Sequence, residues 1–89
     1  MTKKALVQPN PFDEFFTVRF ALEEMADVQL EIFDEKGVKV YETFKNELGI
    51  GEHDFIVEDA PYFASGMYFG KLSILGKRPW EFKILKVEK

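Results

Sequence analysis

The chain contains no cysteine. Disulfide staples, thiolate nucleophiles and cysteine-ligated zinc are therefore excluded. Its one histidine, His53, excludes a multi-histidine metal site built within the chain. Apolar runs last only a few residues, far short of the roughly 20 that a membrane-spanning helix needs. The opening residues, Met1 to Pro9, start basic but hold no apolar stretch long enough for a signal peptide. The expectation is a chain that is either cytoplasmic or one domain of a longer exported protein. Low-complexity segments and internal repeats are absent too. What is present suits a folded domain: 46% hydrophobic and 31% charged residues over 89 positions, too apolar for a disordered tail. That length allows one domain, residues 1–89. A chain of this size buries about 60–65% of the surface it exposes when unfolded.

The net charge of −4 is unevenly spread, with +4 on residues 71–89 and −8 on residues 1–70. An acidic body argues against non-specific nucleic-acid binding. The basic end reads as a solvated edge strand, since edge lysines block unwanted pairing. The competing reading is a recognition tail.

Helix signals are poor, and period-two runs recur instead. Phe16, Val18, Phe20 and Leu22 recur at every second position, with Thr17 and Arg19 between. Val28, Leu30 and Ile32 repeat the pattern. Asp34-Glu35-Lys36-Gly37 is a tight turn, because Asp suits its first position and Gly takes the positive φ at its end. It predicts a hairpin into Val38–Phe44. Gly49 and Gly51 mark a further turn, followed by a strand with His53, Phe55 and Val57 on one face. Pro61 marks the longest irregular stretch. Gly66 opens a strand carrying Tyr68, Leu72 and Ile74 on one face with Gly70. The last strand runs from Trp80 to about Val87, with Trp80, Phe82 and Ile84 facing together and Lys83 opposite, beside Leu85. A short strand from Ala5 to Gln8 precedes Pro9. The expected fold is all-β, an immunoglobulin-like β-sandwich of about seven antiparallel strands in two sheets.

No catalytic constellation emerges, and the expectation is a protein that is not an enzyme and carries no cofactor. His53 and Asp54 are adjacent in a strand and point to opposite faces. Ser65 lacks a nucleophile elbow. The acidic pairs Asp13-Glu14, Glu23-Glu24 and Glu58-Asp59 lack the spacing of a calcium loop. Tyr62 and Phe63, in the long loop, either form an exposed aromatic set or fold back over the end of the sandwich. Phe15 and Tyr41 are expected on outer faces.

The order of these features resembles a known family. Val7-Gln8-Pro9-Asn10-Pro11-Phe12 is similar to the Pro-Asn-Pro-Phe opening of type IX secretion system C-terminal sorting domains. Val28-x-Leu30-x-Ile32-x-Asp34-x-x-Gly37-x-x-Val40 resembles that family's hairpin, and Leu48-x-x-Gly51-x-His53 its next turn and strand. Ala64-Ser65-Gly66-Met67-Tyr68-Phe69 resembles its Ala-Ser-Gly-hydrophobic-Tyr segment. Lys83-Ile84-Leu85-Lys86 resembles its closing strand. An immunoglobulin-like module of flagellar hook-capping proteins shares the opening and the Ser-Gly-x-Tyr element. Gln8 stands where the sorting family often has an aromatic residue.

The resemblance implies a sorting domain that directs an attached N-terminal passenger across the outer membrane. It would be read by the type IX translocon and removed by a sortase in some members. The passenger would transit the periplasm to the cell surface or medium, and Met1 need not be native. Lys83, Lys86 and Lys89, with Gly66 and Tyr68, are then the candidates for translocon recognition. Pro9, Asn10, Pro11, Phe12, Asp34, Gly37, Gly51 and Ser65 are family positions with mainly structural reasons. Strand addition at the terminal strand is the expected mode of recognition. A dimer through open strand edges is a further expectation. The alternative is a binding or structural module, for carbohydrate or a protein partner, of a cell-surface or flagellar assembly. In that reading Tyr62, Phe63 and Trp80 form a platform.

Overall fold

The structure, a computed structural model, describes residues 5–58 and 63–87. Seven strands follow in order: β1 (Leu6–Gln8), β2 (Phe16–Leu22), β3 (Ala26–Phe33), β4 (Lys39–Leu48), β5 (Gly51–Val57), β6 (Gly66–Ile74) and β7 (Trp80–Lys86). They form a three-stranded sheet, β1-β2-β5, and a four-stranded sheet, β4-β3-β6-β7. Every strand pairing is antiparallel. The all-β expectation holds. The fourth strand lies beside the third, whereas the constant-type immunoglobulin arrangement puts it in the sheet of the first two.

Alternation sets the layers. Along β2 the residues Phe16, Val18, Phe20 and Leu22 are buried, and Arg19 is exposed. From the facing sheet come Val28, Leu30 and Ile32 of β3, with Tyr68 and Leu72 of β6 and Ile84 of β7. Burying each such side chain contributes about 1.5–3 kcal/mol before chain entropy is charged against it. Aromatic rings fill one end of this layer. The Phe12 and Phe16 centroids are 4.8 Å apart edge to face, and Phe63 stands 6.0 Å from Phe12.

The predicted hairpin turn forms as its residues dictate. Asp34 Oδ1 accepts from the N–H groups of Lys36 and Val38, both at 2.9 Å. Gly37 takes φ 85°. The strand after it is longer than alternation suggests, running to Leu48 rather than stopping at Phe44. It is an edge strand with little burial, so polar Lys45, Asn46 and Glu47 continue it without an apolar face. Phe15 is exposed as expected, while Tyr41 is half-buried.

Candidate functional site

Between β1 and β2 the chain leaves the small sheet and runs along the outer edge of β7. Pro9 and Pro11 have no N–H to offer, so this strap holds the edge in an unusual way. Phe12 N–H donates to the Leu85 carbonyl at 2.8 Å, and the Phe12 carbonyl accepts from Val87 N–H at 2.9 Å. This is a parallel bridge, Phe12 opposite Lys86. One step back, the side chain of Asn10 repeats the pattern. Its Nδ2 donates to the Lys83 carbonyl at 3.2 Å, and its Oδ1 accepts from Leu85 N–H at 3.1 Å. The side-chain amide does what the backbone of residue 10 would do in a regular parallel ladder. The terminal strand therefore does not present the free edge that recognition by strand addition requires. From Lys83 to Val87 that edge is already occupied.

Of the three candidate lysines, Lys83 and Lys86 do not share a surface. Lys83 is exposed on the outer face of the large sheet, opposite Phe69. Lys86 alternates with it and points inward, only 6% exposed. Its Nζ donates to the Asp13 carbonyl and lies 3.8 Å from the Asp13 carboxylate. The same ammonium stands 5.6 Å from the centre of the Phe12 ring. With its stem buried beside the core, the charge finds its partner among the described residues on the strap. Lys86 is thus a clasp on the strap and not part of a solvated basic edge. Lys89 lies outside the described residues.

The other candidates converge on the same end. Gly66 has φ 145°, and the Glu35 carboxylate lies 3.5 Å from where a Cβ would stand. That carboxylate accepts from Met67 N–H at 3.1 Å, tying the Asp34–Gly37 turn to the start of β6. Tyr68 is buried, and its hydroxyl donates to the Ala64 carbonyl at 2.6 Å. Burial, helped by the nearby Asp34 carboxylate, raises its pKa above the usual tyrosine value. Its ring lies 4.9 Å from Phe63. Ser65 is an exposed residue of the approach to β6. Gly51 stands apart, opposite Leu22 at the far end of the sandwich.

The aromatic platform does not assemble. Phe63 is 6% exposed and folds back over the strapped end. Trp80 pairs with Leu72, four residues along β6 from Tyr68. Tyr62 lies outside the described residues. Trp80 stacks on Phe82, centroids 5.1 Å apart. Phe82 in turn covers Gly70, its cross-strand partner. A Cβ built on Gly70 would lie 2.0 Å from Phe82 Cζ, so only glycine admits the ring. At this end the two sheets leave a groove of about 630 Å³. Phe20, Leu22, Leu72, Ile74 and Trp80 wall it; Glu23, Glu24 and Glu52 stand at its rim, with Lys77 and Arg78.

His53 serves a turn: its Nε2 lies 2.7 Å from the Gly49 carbonyl. The Asp54 carbonyl accepts from Lys45 Nζ at 2.9 Å. Sequence reading missed the parts of Asp13 and Glu35, because each acts on a residue far away in the chain. An asparagine set between two prolines was the visible hint of the strap.

A family model described as a secretion system C-terminal sorting domain matches residues 6–85. Among curated proteins none matches the chain.

Proposed function

The chain belongs to the secretion system C-terminal sorting domain family, and from that premise we propose how its geometry is used. As a type IX sorting domain it is a signal attached to a longer exported passenger, bound for the cell surface or the exterior. In our reading the passenger crosses the inner membrane by its own signal, and the domain folds in the periplasm. The translocon then reads the folded sandwich. A sortase removes the domain by cutting upstream of, or near, Met1. The domain is that enzyme's substrate and supplies none of its chemistry.

The observation that carries this reading is the match over nearly the whole chain. The strapped end supports a division of labour among the candidate residues. Lys83 is the exposed contact, open to an acidic receptor surface. Lys86, Gly66 and Tyr68 act through the fold, holding the strap and the start of β6 in place. Lys89 remains a contact in this proposal.

The test is export in a bacterium with an active type IX system. The chain is fused behind a signal peptide and a fluorescent passenger. The full fusion should reach the surface or medium, and a fusion ending before Trp80 should stay in the periplasm. Export of the truncated fusion, or retention of the full one when correctly folded, would overturn the sorting reading. Lys83→Glu, which leaves the strap's bonds intact, should lower export without lowering the melting temperature. Normal export of that variant would remove Lys83 from the contact surface.

A further inference from the structure

The two sheets have four outer strands, β1, β5, β4 and β7, and their free edges are not equivalent. The β7 edge is strapped. β1 is only 3 residues long before Pro9 ends it. The β4 edge is broken by register shifts near both ends, a usual device against added strands. The β5 edge differs. It pairs with β2 without interruption from Gly51 to Val57, and its other side has no strand among the described residues. The Asp54 carbonyl points to that open side, where Lys45 takes it. Alternation along an antiparallel ladder then sends the backbone groups of Glu52 and Ile56 the same way. The Ile56 side chain is exposed beside them. Such an edge is a template for a further strand.

One side chain stands in the way. Lys45 pairs with Val28 across β3 and β4. Val28 lies in the core, so Lys45 points inward from an edge strand. Its stem crosses the open side of the sandwich from β4 to β5. Its Nζ donates to the Asp54 carbonyl at 2.9 Å and lies 5.1 Å from the centre of the Phe55 ring. We propose that Lys45 is an edge stop, and that the strand it excludes is β5 of a second copy of this chain. The outward groups suit self-pairing in one register. With Phe55 opposite Phe55 of the second copy, Asp54 meets Ile56 of the second copy, and the reverse pair forms by symmetry. Each such pair exchanges backbone hydrogen bonds in both directions, and no two carboxylates of β5 stand opposite each other. The two-fold axis then passes beside Phe55, where each copy holds the ammonium of Lys45. Two like charges would meet on that axis, and the Asp54 carbonyl that the ladder needs already holds a donor. A lysine of β4 thereby guards the edge of the other sheet. The inference concerns self-association and stands apart from the sorting reading.

Sedimentation velocity over one concentration series compares the intact chain with Lys45→Met, which keeps an apolar stem and removes the charge. The variant should dimerise at least about tenfold more tightly than the intact chain. Its dimer should slow amide exchange at Asp54 and Ile56. Adding Ile56→Pro removes an outward N–H, a change that an edge strand tolerates, and should return the variant to monomer. Lys45→Arg keeps the charge and should stay monomeric. Should Lys45→Met not fold, Lys45→Thr puts a residue that suits a strand in the same place. A folded, uncharged variant that associates no more than the intact chain would overturn the proposal. So would a dimer with unchanged exchange at Asp54 and Ile56, which would form elsewhere, or a dimer that survives Ile56→Pro.

Discussion

Two lysines three positions apart have opposite fates, and their variants should show it. Lys83 faces solvent, so Lys83→Met should change stability by no more than about 0.5 kcal/mol. Lys86→Met removes a buried charge-assisted hydrogen bond from the strap. It should cost about 1–3 kcal/mol. Thermal melts of the two variants side by side make the comparison, and equal melting temperatures would refute the clasp. Tyr68 gives a second test. Its pKa is raised in the folded state by burial and by Asp34, so the folded state holds its proton after the unfolded state has released it. The stabilisation is complete below about pH 10, the unfolded value. It is lost as pH climbs from there through the folded pKa. Tyr68→Phe should lose about 1 kcal/mol at neutral pH, with its bond to Ala64, and show a shallower fall in stability above pH 10. Denaturant midpoints across that range decide it.

At the scale of elements, the strap turns an edge strand into an enclosed one. Asn10→Ala removes one donor and one acceptor from the ladder and should cost about 0.5–1.5 kcal/mol. Amide exchange should quicken most at Leu85, whose N–H bonds to Asn10. It should quicken less at Val87, whose partner is the Phe12 carbonyl. Unchanged exchange at Leu85 would mean that the side chain is not acting as backbone. The strands themselves were legible because alternation is a local signal: Phe16 to Leu22 needs no distant residue to be read as half-buried. The Asp34–Gly37 turn was legible for the same reason. The strap was not, because nothing near Asn10 says that its partner is Lys83. Lys86 misled for a related reason. A lysine at an inward position reads as solvated unless the reader knows that a carbonyl and a carboxylate wait there. The end of β4 was missed because an edge strand with both faces wet has no period to detect.

For the whole molecule, the ends of the sandwich differ. Phe12, Phe16, Phe63 and Tyr68 pack one end, while the other keeps a groove beside Trp80. The core cluster between them is continuous, so both ends should unfold together. Denaturation followed by Trp80 emission at one end and by tyrosine near-ultraviolet signal at the other should give coincident transitions. An earlier Trp80 transition would show that the grooved end melts alone. The candidate residues at the strapped end were recognisable as a set in the sequence, but their roles came from contacts between distant segments. Those distances have a bearing on how the protein is made. Asn10 bonds to residues 73 and 75 positions later, and the last of these bonds in the chain is made by Val87. A ribosome emits the strap early, yet the strap has nothing to hold until synthesis has passed Val87. Phe12 stays uncovered until then. A polypeptide that stops before Val87 keeps this apolar end open, so closure of the sandwich depends on segments made more than seventy residues apart.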